Sequence, residues 1–372
     1  MTPTTDFSRP VLCVLGLPFD IVDLAGAEQV MRSAIADRRR MFLSTPNINF
    51  LIACQTDAAF RESVIDSDLS VADGMPIIWL SRLVGTPLPE RVAGSTLFER
   101  LCGDAARPVS VYLFGGPDGI AAKAAAAMSA RCPGGRCVGA RSPGFGTVAQ
   151  MSPPEVLAEI NASKADFLLV ALGAKKGQEW IVRNLAALDA PAISHLGAVI
   201  NFLAGTVSRA PLLAQKLGLE WIWRIKEEPK LWQRYWKDGV ALLGMLTRFA
   251  LPLALAQRRR GAAVPATLDV RGRRLTLGGD WSATEAPKLG AAFTLLAAAP
   301  GPVEIDLSGV RWIDGHAIGK LLLLRAHQKR AGQPLNITAR GPARRLIELH
   351  AAGYLLAADS AQPAGAAARL PL

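Results

Sequence analysis

The strongest constraint in this sequence is an alternation. Short, wholly apolar runs end in a glycine or a polar loop and lead into helix-length amphipathic stretches. The runs are Val11–Leu15, Met41–Leu43, Val109–Gly116, Asp166–Gly173 and Pro191–Leu196. Runs of this length without period-two alternation suit strands buried on both faces, with the intervening helices as cover. Residues 11–210 are therefore expected to form a layered, parallel-sheet α/β domain of Rossmann-like type. Open sheets of that kind bind ligands at the carboxyl ends of their strands.

Two strand-end loops stand out. Ser44-Thr45-Pro46-Asn47 follows the run at 41–43 and precedes a helix of about four turns, with Phe50, Leu51, Cys54 and Phe60 on its apolar face. Val71-Ala72-Asp73-Gly74 comes next, and then the basic segment Glu90-Arg91-Val92-Ala93-Gly94. Together these bring a hydroxyl, an amide, one carboxylate and a cation toward one sheet edge, parts suited to transfer from a phosphorylated donor. An isolated Ala-Asp-Gly equally reads as a turn that satisfies its own backbone. Further on, Gly115-Gly116-Pro117 before a helix at Gly119–Ala130 offers a diphosphate cradle of backbone N–H groups, although it does not match GxGxxG. The glycine-rich stretch Arg136–Val148 reads as a mobile loop over the site. Asp66-Ser67-Asp68 mimics a metal-binding DxD, but at a helix end it reads as structural capping.

Charge and composition narrow the partners. A net charge of +11 and a pI near 9.8 favour an anionic partner: nucleic acid, anionic lipid or a phosphorylated substrate. The five cysteines form no disulfide framework and the four histidines show no metal spacing, so reduced thiols and no resident metal are expected. The polar start, MTPTTDFSRP, has no signal-peptide pattern.

Residues 215–260 differ in kind. Four of the eight tryptophans, Trp221, Trp223, Trp232 and Trp236, alternate there with Arg224, Lys226, Arg234 and Lys237. An apolar run, Gly239–Ala256, follows and closes on Arg258-Arg259-Arg260. Tryptophan and cation beside an apolar face mark a helix lying in a bilayer interface. A transmembrane span competes, but Arg248 and Pro252 interrupt the run and both flanks are basic. Nucleic acid does not suit so long a leucine-rich stretch. After a linker at Gly261–Pro265, a hairpin, helix, strand, helix, strand and helix make a second, small α/β unit. The expected partition is 1–214, 215–260, 266–358 and a tail, 359–372.

The first 240 residues carry Thr45-Pro46-Asn47, Ala72-Asp73-Gly74, Arg91-Val92 with Gly94, Phe114-Gly115-Gly116 and Gln178-Glu179-Trp180. They continue with Arg209-Ala210-Pro211 and Leu219-Glu220-Trp221, then Arg224 and Glu228-Pro229. In that order these motifs resemble the WecG/TagA/CpsF glycosyltransferases (glycosyltransferase family 26). The resemblance implies metal-independent, inverting transfer of a sugar from a UDP-sugar to a polyprenyl-diphosphate-linked acceptor, undecaprenyl in bacteria. The sugar would be N-acetylmannosamine, glucuronate or another hexose, and the setting exopolysaccharide or cell-envelope polymer synthesis. It implies an enzyme peripheral on the cytoplasmic face of the plasma membrane.

By the same resemblance Asp73 is the candidate general base, Thr45 and Asn47 are pocket residues, and Gln178 with Glu179 lies in the nucleotide-sugar motif. Arg91, Gly94, Gly115 and Gly116 are substrate-binding candidates, and Arg224 sits in an appendage that engages diphosphate. Asn201 replaces an aspartate that many members carry, which opens the donor's identity. It also keeps a rival open, a catalytically silent regulator that binds nucleotide or lipid diphosphate.

Residues 266–358 resemble a STAS domain through Val303–Val310 and Ile313–Gly319. Regulatory members of that family carry a phosphorylatable residue directly after the aspartate. Here that position is Gly315, so interaction with a protein partner, dimerisation or positioning of the enzyme is the expected role.

Overall fold

Six strands carry the larger sheet: β3 (Met41–Ser44), β4 (Leu69–Ser70), β5 (Val109–Gly115), β6 (Gly135–Arg141), β7 (Phe167–Ala171) and β8 (Ala192–His195). They are all parallel, in the order β4-β3-β8-β7-β5-β6. β3, β5 and β7 are buried throughout, as strands covered on both faces must be. The computed structural model describes residues 5–208, 210–211, 218, 220–227 and 229–356. The motif residues Arg209, Leu219 and Glu228 and the tail 359–372 lie outside those residues.

Several elements depart from the sequence reading. The helix expected after Asn47 is two: α2 (Ile48–Thr56) and α3 (Ala58–Ile65). Asp57 ends the first in an extended conformation and caps the second, accepting from the Phe60 N–H, while Lys175 pairs with its carboxylate. Residues 136–148 are not a loop over the site. Residues 135–141 form the edge strand β6, at the far end of the sheet from β3 and β4.

The N-terminal run is not a strand of this sheet. β1 (Val11–Val14) turns through Leu15 and Gly16, both at positive φ, into β2 (Leu17–Asp20), an antiparallel two-residue hairpin. Every residue of the hairpin is buried, and most of the cover comes from the C-terminal unit.

That unit is a four-stranded sheet, β12-β11-β10-β9. Its strands are β9 (Thr267–Arg271), β10 (Arg274–Trp281), β11 (Val303–Ile313) and β12 (Leu335–Thr338). Helix Gly315–Arg330 lies between this sheet and the hairpin. Gly315 and Gly319 bring the helix against β1: a Cβ on either would stand 2.7 Å from the Cys13 carbonyl oxygen or 2.6 Å from that of Val11. Lys320, 4% exposed, donates to the carbonyls of Phe7 and Arg9. Arg325, Lys329 and Arg330 pair with Glu62, Asp66 and Asp68. Asp66-Ser67-Asp68 is thus a structural junction between the units.

One long helix, Trp232–Arg258, crosses both units. Residues 246–250 widen into a π turn just before Pro252, whose ring cannot accept a regular turn beneath it. Met245, Ala250 and Leu253 are buried in the shared core. Trp232, Trp236, Val240, Leu243, Leu251 and Leu255 are exposed along another face.

Candidate active site

The loops after β3 and β4 are tied together by backbone. Asp73 N–H donates to the Pro46 carbonyl at 3.0 Å, and Val92 N–H to that of Ala72 at 2.9 Å. The Asp73 carboxylate then receives the Gly94 N–H at 3.4 Å. Gly94 is needed for this approach, because a Cβ there would lie 2.4 Å from Leu196 Cδ2 and 3.0 Å from Thr45 Cγ2. Thr45, Asn47, Asp73 and Arg91 line one cleft of about 990 Å³. Asn47 also caps α2 through the Asn49 and Phe50 N–H groups.

Helix N-termini converge on this cleft. Gly74 and Met75 lie at the start of helix Met75–Leu83, Ala93 and Ser95 at that of Gly94–Gly103, Ala174 at that of Ala174–Asn184, and Gly197 at that of Gly197–Ala204. None of the four helices has a side-chain cap. Their leading N–H groups and dipoles supply positive potential without a lysine.

The opposite wall belongs to helix Glu220–Glu227 and the start of Trp232–Arg258, with Trp221, Trp223, Arg224, Trp232 and Tyr235. Arg91 Nη1 reaches Glu220 Oε1 at 2.7 Å and joins the two walls. Burial pushes the Asp73 carboxyl up to about 6; Arg91, the Gly94 N–H and Arg224 oppose the rise, and Glu220 adds to it. A carboxylate held there accepts a proton readily near neutral pH. His195 lines the same cleft; burial lowers its imidazole to about 4, and its Nε2 has no hydrogen-bond partner among the described residues. Sequence reading passed over His195. Its signal was Gly177, where a Cβ would lie 2.2 Å from the His195 ring.

Five candidates are placed elsewhere. Gly115 ends β5 and Gly116 follows it, with β8 and β7 between that strand and β3, and Gly116 N–H is already spent on the Ala171 carbonyl at 2.9 Å. They do not form the diphosphate cradle expected of them. Gln178 does not line the cleft; it lies buried behind Thr45 with Nε2 on Ser44 Oγ at 2.9 Å. Glu179 is exposed on the outer side of its helix. Asn201 stands one turn into its helix and is not part of the cleft lining. Among the described residues no group of three His, Cys, Asp or Glu converges as a metal site.

Residues 12–255 match the family described as Glycosyl transferase WecG/TagA/CpsF, and residues 266–354 match the STAS domain of Mlab type. Two relatives come from Staphylococcus aureus, strains MW2 and NCTC 8325 / PS 47. Each is named N-acetylglucosaminyldiphosphoundecaprenol N-acetyl-beta-D-mannosaminyltransferase. Each is 24% identical over 249 residues, covering 66% of this chain and 93% of the relative.

Proposed function

Because this chain belongs to the WecG/TagA/CpsF glycosyl transferase family, we propose that it transfers a sugar from a UDP-sugar to a polyprenyl-diphosphate-linked acceptor, with inversion. The acceptor class follows the names of the relatives, whose acceptor is an undecaprenyl-diphosphate-linked sugar. One observation carries the reading: a carboxylate raised to about 6, Asp73, faces a cleft that also presents Arg91, Arg224 and four helix N-termini. Asp73 takes the proton of the acceptor hydroxyl as its oxygen bonds to the anomeric carbon. The bond from that carbon to the diphosphate oxygen breaks, and UDP leaves with the electron pair. Arg91, Arg224 and the uncapped helix ends receive the charge that develops on the leaving diphosphate.

The reading extends to the membrane. The exposed stripe on Trp232–Arg258 continues in Trp221 and Ile222, and in Trp79 and Leu83 of helix Met75–Leu83. Arg82, Arg234, Lys237, Arg248 and Arg258 accompany it. By length and composition this helix is apolar enough to span a bilayer. Its buried side is bonded into the protein core, however, which suits a helix lying on the cytoplasmic face of an anionic membrane. The acceptor's lipid would then enter the cleft from the bilayer.

The test is a UDP-release assay with EDTA present and detergent-solubilised polyprenyl-diphosphate acceptor. UDP-N-acetylmannosamine, UDP-N-acetylglucosamine, UDP-glucose and UDP-glucuronate are compared with wild type and Asp73→Asn. Acceptor-dependent release from one donor, lost in the variant, is expected. Silence with every donor while UDP still binds would turn the reading into that of a nucleotide-binding regulator.

A further inference from the structure

Three groups of helix Glu220–Glu227 line the cleft within little more than one turn: Glu220, Trp223 and Arg224. Their states differ. Glu220 is bonded to Arg91 at 2.7 Å, and the Arg91 side chain is 14% exposed against 38% for Glu220. Arg91 is therefore the fixed member of the pair and Glu220 the exchangeable one. The indole Nε1 of Trp223 is buried with no hydrogen-bond partner among the described residues. A buried N–H without an acceptor is costly, and such groups in a cleft mark the place of a ligand oxygen. Charge points the same way. Asp73, Glu220 and Asp238 balance Arg91, Arg224 and Arg234 along the cleft, so a diphosphate arriving beside Arg91 meets a carboxylate already seated on the cation it requires.

We propose that Glu220 is a placeholder for diphosphate: phosphate oxygens displace its carboxylate from Arg91 and accept the free indole N–H of Trp223. Glu220 is thus a positioning residue that keeps Arg91 extended into the cleft between turnovers. Exchange of one anion for another leaves the arginine paired throughout, so it is never exposed as an unpaired charge in a half-closed site. The exchange also releases the bond that joins the two walls, coupling diphosphate arrival to movement of the appendage helix. This inference rests on the transferase reading for its biological substrate, and on geometry alone for the exchange.

The experiment measures binding of inorganic pyrophosphate to the full chain in detergent, by calorimetry, for wild type, Glu220→Gln and Trp223→Phe. Glu220→Gln retains shape and removes the competing charge, so its affinity should rise about two- to fivefold, the range of a partly exposed ion pair. Trp223→Phe should weaken binding about fivefold. Unchanged or weaker binding by Glu220→Gln, or no binding by either protein, overturns the proposal; a merely structural role for Glu220 predicts that loss. UDP and farnesyl diphosphate are titrated in parallel. Given the rise with pyrophosphate, a matching rise with farnesyl diphosphate but not UDP assigns the placeholder to the acceptor, and the reverse assigns it to the donor; both support it. If the pyrophosphate shift appears while no sugar is transferred from any donor, the transferase reading fails and the placeholder stands.

Discussion

Asp73 is the residue where physical environment has most to say about function. An exposed aspartate titrates near 4, whereas this one is raised to about 6 by burial. A general base works as the carboxylate, so activity is lost as pH falls through the raised value. We expect kcat/KM to fall about tenfold per pH unit below about 6, and Asp73→Asn to lower it at least about a hundredfold with that limb removed. A pH profile at saturating acceptor checks both. Asp73, Thr45 and Arg91 were legible in sequence because each sits in a strand-end loop, and the parallel-sheet reading predicts where such loops meet. Gln178 and Gly116 were not, because a motif shows that a residue matters without showing which way it faces. Gln178 turns inward to Ser44, and Gly116 gives its N–H to a neighbouring strand.

At the scale of elements, the helix Trp232–Arg258 held the ambiguity that sequence could not remove. Its composition fits a span and an interfacial helix equally, and only packing separates them. Met245, Ala250 and Leu253 face protein while Trp236 and Leu243 are 69% and 62% exposed. Replacing both exposed residues, Trp236→Glu with Leu243→Glu, removes apolar area worth about 1.5–3 kcal/mol per side chain from the proposed bilayer contact. Co-sedimentation with anionic liposomes should fall more than tenfold while the thermal midpoint stays within a few degrees. Retained sedimentation would place the membrane contact elsewhere. The hairpin β1–β2 escaped the sequence for a related reason. Its strands are buried on both faces and show no alternation, and its turn is Leu15-Gly16 rather than Asn-Gly.

For the whole molecule, the boundary between the two units is a core rather than a hinge. The hairpin, α2, α3, the far half of Trp232–Arg258 and the C-terminal sheet share one set of buried side chains. Tyr354 Oη donates to the Gly16 carbonyl at 2.6 Å, and Arg61 stacks on the Tyr354 ring. Arg260, at the end of the long helix, pairs with Asp280 and stacks on Trp312. The face of the C-terminal unit that carries Gly315 is therefore occupied by the chain's own hairpin, which favours positioning over capture of a partner there. Lys320→Met tests the weld: two carbonyls lose a charged donor, and unfolding free energy should drop by about 2–3 kcal/mol in urea melts. UDP affinity, read below the transition, should be unaffected. Nothing local announces these contacts. The longest join residues more than three hundred positions apart, as from Phe7 to Lys320 and Gly16 to Tyr354, where no periodicity reaches.

The same weld sets an order of events during synthesis. Strand β1 leaves the ribosome some three hundred residues before the helix that covers it, Gly315–Arg330. For most of translation the hairpin is an uncovered apolar edge, and loop closure over that distance is slow. The parallel sheet can form early, but the floor beneath the long helix cannot be completed until the C-terminal unit emerges. A chain built this way cannot finish the core beneath its long helix before Gly315–Arg330 has been made, so the cleft wall that the long helix carries stays incomplete until then.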